Sequence, residues 1–564
     1  MKILKLKKFT IFFLIFISLI ACDQSYNTSI SGYKCGIGTF KPIEASNAIP
    51  INPQTKRTLG NVDQDGFKDF NICLDLCNFE EEIIQYNLQD KRELFVEGMT
   101  QAINALKSLL RVKPHQQNWI FYDKQIENLN INKWNKSLIG NKAKKGMKEL
   151  DIDLFIFVRL DNKEHMGETI LASSSLVYLE TGTGKPLLGL IDINREVDYS
   201  KENSLKYFGG TIIHEITHVL GFNSYHFTKY FNNVFTKVDI FGIERYYINS
   251  PKVVEVGKKY FNCSSLEGVA LEDDGGKGMV GSHWEARILL GDYMIGEAFT
   301  SEEIISEFTL ALLEDSGYYK ANYYTGGLMQ FGKKKGCDFV YNKCIEDGKL
   351  DPMFTNEFFY KIYSKFNGFD TSCSCDRQSR TYHSFYRYES IEEQYQYFDN
   401  PNLGGFASAE YCPVSREDKT EENNAYYVGH CSERGSGEYG SLIYYDYNNA
   451  NKIYKSAEIK DIIGESYSEN SFCVLSSLIS KNKENYEYYS NTIRAVCYQM
   501  HCSDRSLTIQ INNDFIVCPR TGGKINAINY DGYLSCPDYN LICSGSVLCN
   551  DMFECVEKKI FIKR

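Results

Sequence analysis

Two histidines and a glutamate within one short segment could together activate water on a metal ion. The segment runs from Thr211 to Phe222 and contains His214, Glu215 and His218 in the order HExxH. Residues four apart share one face of a helix, so both imidazoles could bind the same ion, with Glu215 beside that face. Zinc lowers the pKa of its bound water to about 7, and a neighbouring carboxylate can then accept the proton. The pattern predicts one catalytic Zn²⁺ and a glutamate general base.

A third ligand must come from elsewhere in the chain, because catalytic zinc usually takes three protein ligands and keeps one open position. Ser224 stands where a compact metzincin places its third histidine. Glu244 would serve in a thermolysin-like site, whereas His283 in the segment SHWEAR and, less strongly, His226 offer an imidazole. Gly221 favours a sharp turn after the helix, as a metzincin requires. Spacing alone leaves these alternatives open.

Hydrophobic periodicity predicts the elements that must carry these residues. Residues 90–112 have apolar side chains at helical spacing and stop before a proline. Residues 151–160 and 187–193 are apolar runs of strand length, separated by a glycine-rich turn. The order of these elements predicts an α+β fold in which a twisted sheet packs against the active-site helix. We expect an extended substrate to pair with an edge strand from residues 151–193.

Composition and the N-terminal sequence indicate an exported protein. The 564 residues include 19 cysteines, 14% aromatic residues and a formal net charge of −11. The aromatic content excludes a wholly disordered chain, and the negative charge argues against nucleic acid as a partner. So many cysteines without a paired CxxC zinc motif indicate an oxidising compartment. Residues 1–21 have the basic start and short apolar core of a signal peptide, with Cys22 as an alternative lipidation site, and no transmembrane span is expected after its removal.

The cysteine positions divide the chain into a region with few crosslinks and a region with many. Residues 78–262 contain no cysteine, so this region needs a large hydrophobic core of its own. The C-terminal region is rich in cysteine and in Tyr, Asn and Ser. Its last four cysteines are expected to form a small stapled module: Cys536, Cys543, Cys549 and Cys555.

Several motifs together resemble the leishmanolysin family of secreted or surface zinc metallopeptidases. These motifs are the HExxHxxGF segment, a histidine within SHWEAR after a long insertion, and a methionine in GDYMIG. The similarity extends through ISEFTLALLEDSGYYKANY and GCDFVYNKC, and is strong over about residues 205–345 and weaker beyond. The resemblance implies the zinc ligands His214, His218 and His283, with Met294 forming the apolar floor of the site.

The resemblance also implies how the chain is organised. It implies a metzincin-like catalytic domain with a Met-turn lobe, followed by a cysteine-rich C-terminal domain. The expected divisions are a signal peptide at 1–21, a candidate pro-segment at 22–60, an N-terminal catalytic lobe at 61–225, a second lobe at 226–345 and the C-terminal region at 346–564.

The activity implied is endoproteolysis of proteins or peptides, with Glu215 as the general base. The competing interpretations are a catalytically idle relative that acts in adhesion or matrix binding, and a thermolysin-like enzyme that uses Glu244. We expect an extracellular or secretory-pathway location, in which association with a cell surface or matrix remains open. Sequons at Asn27, Asn135 and Asn262 are typical of a glycoprotein.

A cysteine in the pro-segment could hold the enzyme latent. In the resembling family such a cysteine can occupy the open zinc position as a thiolate. Cys35 is the candidate, although it lacks the flanking histidines expected of that switch. Cys35 to Cys555 comprise 18 cysteines, so a plain structural disulfide at Cys35 is the alternative. Lys56-Arg57 is a candidate processing site.

Overall fold

The computed structural model describes most of the chain between residues 62 and 543, together with three short strands nearer the N-terminus. The residues described are 34–37, 43–45, 48–49, 62–119, 147, 151–162, 166, 170–196, 204–273, 279–297, 304–323, 329–354, 357–358, 371–374, 377, 379–383, 385–416, 431, 444–446, 449–454, 463–468, 470–481, 494–503, 505–537 and 539–543. The predicted signal peptide, Cys22, Asn27, Lys56-Arg57 and Asn135 lie outside these residues, as do Cys549 and Cys555. Among the residues in these ranges, no helix combines the length and apolar character needed to cross a membrane.

The chain separates into two compact units, each assembled from three pieces of sequence. The first unit contains residues 1–234, 275–283 and 310–322, and the second contains residues 235–274, 284–309 and 323–564. The described elements mix helices with sheets and carry several disulfides, in agreement with the fold class expected from the sequence.

The helices are short apart from two in the first unit. In chain order the α-helices are α1 (Cys77–Gln85), α2 (Arg92–Leu109), α3 (Ser204–Leu220), α4 (Ser224–His226), α5 (Pro251–Phe261), α6 (Ala286–Leu289), α7 (Glu307–Asp315), α8 (Cys337–Tyr341) and α9 (Tyr539–Ile542). A π-helical turn follows α4 at Phe227–Phe231, and 3-10 turns lie at Pro352–Phe354, Glu393–Tyr395 and Ala407–Ala409.

The strands are numbered in chain order. As far as residue 194 they are β1 (Lys34–Ile37), β2 (Ile43–Ala45), β3 (Ala48–Ile49), β4 (Lys68–Asp69), β5 (Ile72–Asp75), β6 (Leu110–Val112), β7 (Asn118–Trp119), β8 (Leu154–Asp161), β9 (Ile170–Glu180) and β10 (Pro186–Asn194). The next are β11 (Val234–Val238), β12 (Glu244–Ile248), β13 (Val269–Ala270), β14 (Tyr319–Ala321), β15 (Thr371–Cys373), β16 (Arg380–His383), β17 (Tyr386–Arg387), β18 (Leu403–Gly404) and β19 (Ser415–Arg416). The last are β20 (Tyr444–Asp446), β21 (Asn449–Tyr454), β22 (Ser471–Ser476), β23 (Ile479–Ser480), β24 (Arg494–Cys502), β25 (Leu507–Ile511), β26 (Asp514–Cys518), β27 (Gly523–Ile525), β28 (Tyr530–Asp531) and β29 (Leu534–Cys536).

A six-stranded sheet forms the centre of the first unit. Its strand order is β1-β9-β10-β8-β5, and β2 also pairs with β9. Strand β10 runs antiparallel to β9 and parallel to β8. The strands predicted at 151–160 and 187–193 are confirmed as β8 and β10, while β9 between them was not predicted.

Strands β9 and β8, on either side of β10, each pair with a further strand on their outer side. Strands β1 and β2 pair in parallel with β9, and β5 pairs in parallel with β8. The expectation of an open edge strand within residues 151–193 is therefore wrong while the N-terminal strands are in place, because their backbones fill the outer side of β9. Through this pairing the N-terminal segment forms part of the sheet.

Helix α2 packs against α3 beside this sheet. The rings of Phe95 in α2 and Phe208 in α3 lie 5.0 Å apart between centroids. The buried face of α2 continues through Met99, Ala102 and Leu106, which confirms the predicted helical spacing. The helix ends earlier than predicted, because residues 110–112 leave it to form β6 between β4 and β14.

The close approach of α3 to the sheet depends on a glycine. A Cβ atom at Gly189 in β10 would lie 2.6 Å from Cγ1 and 2.8 Å from Cγ2 of Val219 in α3. Real Cβ atoms essentially never approach other heavy atoms so closely, so a larger residue here would push the helix outward. The apolar residues of α3 are almost completely buried: Phe208, Ile212, Ile213, Ile216, Val219 and Leu220.

The second unit contains a six-stranded C-terminal sheet with the order β26-β25-β24-β22-β29-β27. The disulfides among the described residues all join residues of this unit: Cys263–Cys337, Cys344–Cys412, Cys373–Cys473, Cys431–Cys497, Cys502–Cys543 and Cys518–Cys536. The expected stapled module of the last four cysteines is wrong, because Cys536 and Cys543 bond back to residues of β26 and β24. These crosslinks join the end of the chain to the sheet.

Candidate metal centre

Helix α3 presents two of the predicted ligands. His214 and His218 lie one turn apart, both buried, and their Nε2 atoms are 3.0 Å apart. The helix ends at Leu220, where the N–H of Gly221 bonds to the carbonyl of His218 and the N–H of Phe222 bonds to that of Thr217. Gly221 has φ +124°, which permits this left-handed end of the helix. The sharp turn predicted from Gly221 is confirmed.

The chain that follows the helix fixes the ring of His218. Nδ1 of His218 lies 2.7 Å from the carbonyl oxygen of Phe222, and the Asn223 side-chain amide donates to the carbonyl of His218 at 2.9 Å. A carbonyl oxygen can only accept, so His218 carries its proton on Nδ1 and turns an unprotonated Nε2 towards His214. The orientation of the ring is thus set by backbone and amide contacts.

The third histidine arrives on a short piece of chain that belongs to the first unit. His283 is fully buried, and its Nδ1 lies 3.1 Å from the carbonyl oxygen of Met279. Its Nε2 lies 3.3 Å from Nε2 of His214, and the two rings stack at 25°. The same argument assigns the proton of His283 to Nδ1. Two unprotonated nitrogens therefore point at a common position beside His214.

These three imidazoles fit a zinc ion. Their nitrogen atoms all lie within 4.8 Å of one another, and no hydrogen-bonding scheme among themselves can satisfy two unprotonated Nε2 atoms that face a third. Zn–N bonds of about 2.0–2.1 Å in a tetrahedral site place ligand nitrogens about 3.3 Å apart, close to the separations found here. A cation at the common position would relieve the repulsion between the lone pairs.

Burial keeps two of the three histidines, His218 and His283, neutral and ready to bind metal. Desolvation, reinforced by the neighbouring imidazoles, lowers the pKa of His218 well below its usual value. Desolvation and the proximity of His214 lower the pKa of His283 to about 3. Neutral imidazole is the form that coordinates metal, so these two residues do not have to lose protons at neutral pH.

Glu215 follows His214 on α3 and is completely buried. It is not one of the residues whose ligand atoms converge, although the whole of α3 from residue 204 to 220 is described. Its position one residue after a ligand turns it towards the adjacent face of the helix. The arrangement suits a base beside the metal rather than a fourth ligand.

The alternative third ligands lie elsewhere. Glu244 is exposed on β12 in the second unit, while the next residue, Arg245, is buried. Alternation along the strand explains this difference, because Arg245 faces inward to pair with Glu285, Glu410 and Asp273. The ring of His226 bonds to the backbone of Gly184 and contacts Asn223. Neither Glu244 nor His226 joins the converging group.

Met294 lies in the second unit and is fully buried. Its N–H donates to Asp292 Oδ1 at 2.6 Å, and its carbonyl accepts from the N–H of Trp284 at 2.9 Å. The Thr309 hydroxyl donates to the same carboxylate. Burial raises the pKa of Asp292 to about 7. Sequence reasoning missed Asp292, although its place two residues before Met294 in GDYMIG was a signal for a turn.

Two further predicted positions, Cys35 and Asn262, lie within the described residues. Cys35 lies in β1, whose pairing with β9 shifts register between Lys34 and Gly36. Asn262, the sequon residue within the described chain, is exposed in a left-handed turn at the end of α5. That position is accessible to modification.

The fold and the site bring together three buried histidines that could hold a metal ion, two of them on a helix that packs against a mixed sheet. A family model for leishmanolysin peptidases matches residues 65–549, so the chain belongs to the leishmanolysin peptidase family. The resemblance seen in the motifs is confirmed, and the match continues far beyond the residue-345 limit of the strong similarity.

Named relatives agree with this assignment. The chain is 26% identical over 459 residues to a leishmanolysin-like peptidase of Drosophila melanogaster, which covers 71% of this chain and 64% of the relative. It is 26% identical over 379 residues to leishmanolysin of Leishmania major, covering 64% of this chain and 56% of the relative. A leishmanolysin-like peptidase of Caenorhabditis elegans is 27% identical over 338 residues, covering 54% of this chain and 47% of the relative. The chain thus spans less than two thirds of the length of each of these proteins.

Proposed function

We propose that this chain is a zinc-dependent metalloendopeptidase that hydrolyses peptide bonds in proteins. The observation that carries the proposal is the convergence of the Nε2 atoms of His214, His218 and His283, beside a buried Glu215. Membership of a peptidase family supports the same activity. The three histidines are the proposed zinc ligands.

Glu215 is the proposed general base and acid. A zinc ion held by the three imidazoles would supply a water of lowered pKa and polarise the scissile carbonyl. The carboxylate of Glu215 takes the proton from that water and later returns it to the leaving amine. Its burial removes bulk water from the proton path, which strengthens its interaction with the reacting groups. His218 and His283 hold their protons on Nδ1, so they take no part in the transfer.

The metzincin architecture is part of the proposal. Helix α3 ends at a glycine in a left-handed conformation, and Met294 is a buried residue in a turn fixed by Asp292. Both features support this architecture, and the role of Met294 as the apolar floor of the site is part of the proposal. The proposed divisions remain an N-terminal lobe at 61–225, a second lobe at 226–345 and a C-terminal region at 346–564.

Substitution of the base tests the mechanism. We expect Glu215→Ala to keep one zinc per chain and to lower cleavage of an unfolded protein by about 100- to 10,000-fold, the usual contribution of a general base. His283→Ala should lose both zinc and activity. Glu244→Ala, which changes an exposed glutamate, is the matched control and should behave as wild type. Metal content and the rate of proteolysis are the two measurements.

Each outcome decides between the interpretations. Wild-type cleavage by Glu215→Ala would contradict the mechanism. A wild-type protein that binds zinc but cleaves nothing after removal of the N-terminal segment would be the idle relative. Loss of zinc from Glu244→Ala with retention in His283→Ala would favour the thermolysin-like site.

We also propose that residues 22–60 are an inhibitory pro-segment and that the protein is exported. Strands β1 and β2 occupy the outer side of β9, where an extended substrate would otherwise pair. Cys35 in β1 is the proposed switch residue. The disulfides of the second unit support an oxidising compartment, and with it the predicted signal peptide at 1–21.

Two variants of the full chain test the pro-segment. Glu44→Pro removes a backbone donor from β2, so it should weaken the pairing with β9 and raise the initial rate of cleavage. Cys35→Ser should raise that rate as well if its thiolate blocks the metal. A rate unchanged in both variants would contradict the proposal, whereas an increase in Glu44→Pro alone would assign Cys35 to the structural alternative.

A further inference from the structure

His226 lies where the chain turns back after the metal-binding helix, and it is completely buried. Its Nε2 is 2.9 Å from the carbonyl oxygen of Gly184, which lies 42 residues earlier at the tip of the β9–β10 hairpin. Because that carbonyl can only accept, His226 carries its proton on Nε2 and donates it to the hairpin. The imidazole thus joins two distant parts of the first unit.

The partner of His226 is held rigidly. Gly184 has φ +75°, and a Cβ there would lie 2.3 Å from the ring of Tyr230, so only glycine fits. The hairpin closes on itself through the bonds from the N–H of Gly184 to Glu180 and from the N–H of Glu180 to Lys185. The hydroxyl of Tyr318 donates to the carbonyl of Thr183. The tip of the hairpin is therefore held in one conformation, so it can position the elements that bond to it.

A second set of contacts connects His226 to a metal ligand. Asn223 Oδ1 accepts from the backbone N–H of His226 at 2.9 Å, and this bond fixes which way the amide faces. The Asn223 amide nitrogen then donates to the carbonyl of His218. The preceding residue, Phe222, supplies the carbonyl that orients the ring of His218. A continuous path of hydrogen bonds leads from the hairpin through His226 and Asn223 to the end of α3.

We propose that His226 is a positioning residue, which ties the turn after α3 to the β9–β10 hairpin and so holds His218 in the orientation that binds the metal. The inference rests on the proposed function, because it takes His218 as a zinc ligand. Residues that orient a metal-binding histidine typically contribute 10- to 100-fold to metal affinity. The ring suits this role because its Nε2 is a directed donor to Gly184, its Nδ1 lies 3.2 Å from Asn223 Oδ1, and it packs beside Phe231 and Tyr230.

The test compares four forms of the full-length chain: wild type, His226→Leu, His226→Gln and Tyr318→Phe. His226→Leu removes the donor, whereas the amide nitrogen of His226→Gln stands near the place of Nε2 and can restore it. Tyr318→Phe removes the other side-chain bond to the same hairpin tip but has no link to Asn223. The measurements are the zinc dissociation constant, by competition with a chromophoric chelator, and the visible spectrum of the cobalt-substituted protein.

We expect His226→Leu to bind zinc about 10-fold more weakly and to change the cobalt spectrum. His226→Gln should recover affinity to within about 3-fold of wild type, and Tyr318→Phe should match wild type while losing thermal stability. Equal zinc affinity in wild type and His226→Leu would overturn the inference, as would an equal loss of affinity in Tyr318→Phe. Should His226→Leu fail to fold, His226→Asn keeps a polar group too short to reach Gly184, and the same criteria apply.

Failure of the inference and failure of the proposed function give different results. If the function is correct and the inference is not, wild type binds zinc and Glu215→Ala lowers cleavage as expected, while His226→Leu either binds zinc as wild type does or loses no more affinity than Tyr318→Phe. If wild type itself has no measurable affinity for zinc, the proposed metal site is wrong, and the positioning role is rejected with it.

Discussion

The first unit holds its sheet and helix α3 together by apolar packing, whereas the C-terminal sheet of the second unit is crosslinked by disulfides. In the first unit α3 lies so close to β10 that Gly189 has no room for a side chain. In the second unit two disulfides, Cys373–Cys473 and Cys431–Cys497, each reach a strand of the C-terminal sheet. The comparison shows that the three converging histidines lie in the closely packed unit, whereas every disulfide found among the described residues belongs to the other unit.

Chemical reduction should have the largest effect, and it should destabilise the C-terminal sheet of the second unit far more than the first unit. Each disulfide contributes about 2–4 kcal/mol, so loss of the six found among the described residues, about 12–24 kcal/mol, equals or exceeds most of the about 5–15 kcal/mol range that stabilises a typical domain. We expect reduced and alkylated protein to lose hydrogen-exchange protection in β22, β24 and β25 and to keep it in α2 and α3. Protein alkylated without reductant is the control. Equal loss of protection in α3 would show that the comparison is wrong.

The loss of stability on removal of a single disulfide should increase with the length of the loop that the disulfide closes. Cys373–Cys473 closes a separation of 100 residues and Cys518–Cys536 one of 18. By loop entropy, paired alanine substitutions should cost about 4.7 kcal/mol for the first and about 3.2 kcal/mol for the second. Urea unfolding of each double variant measures the difference. A larger loss for the shorter loop would indicate that strain or packing dominates over chain entropy.

The first unit should lose stability in acid through His226. Burial lowers the pKa of this imidazole to about 4, whereas an unfolded histidine titrates near 6.5. Between these values the unfolded chain binds more protons than the folded one, so stability falls as the pH falls from 6.5 to 4, by about 3 kcal/mol in all. In metal-free protein His226→Gln should lose about 3 kcal/mol less than wild type over this range, because His218 and His283, whose pKa values burial also lowers, contribute their own loss in both proteins. Urea unfolding between pH 7 and 4 measures the loss, and His501→Gln, a change at an exposed histidine, should leave the slope unchanged.

Crowding at Gly189 should give the smallest effect. Gly189→Ala places a methyl group against Val219, and such overpacking costs about 1–3 kcal/mol. The double variant Gly189→Ala/Val219→Ala restores space, so its loss should be smaller than the sum of the two single losses. Thermal unfolding of the three variants gives the comparison. Additive losses would mean that crowding against Val219 is not the cause of the loss in Gly189→Ala.

Local sequence patterns were enough to predict part of this structure. The HExxH spacing, the apolar runs of β8 and β10 and the glycine at the end of α3 follow from residues close together in sequence. Strand β9 was missed because three serines interrupt its apolar character, although the strand is buried between neighbours. The end of α2 was misplaced because β6 gains partners from residues 68–69 and 319–321, which local periodicity cannot reveal.

The contacts around the candidate metal centre could likewise not be predicted from local sequence patterns. The convergence of His283 on His214 could be inferred only from a resemblance, since 69 residues separate them. The bond from His226 to Gly184 depends on a hairpin packed beside the helix end, so nothing near His226 in the sequence signals it. Disulfide partners were equally hidden, because spacing does not determine connectivity. The expected module of the last four cysteines was wrong for this reason.

The first unit is interrupted twice by segments of the second, and this order has a consequence for synthesis. His283 leaves the ribosome 69 residues after His214, a delay of roughly 3–14 s at usual elongation rates of about 5–20 residues per second. Strand β14, which completes the small sheet with β6, follows later still. A nascent chain therefore carries only two of the three imidazoles for seconds, and the third can join them only after most of the first unit has been translated.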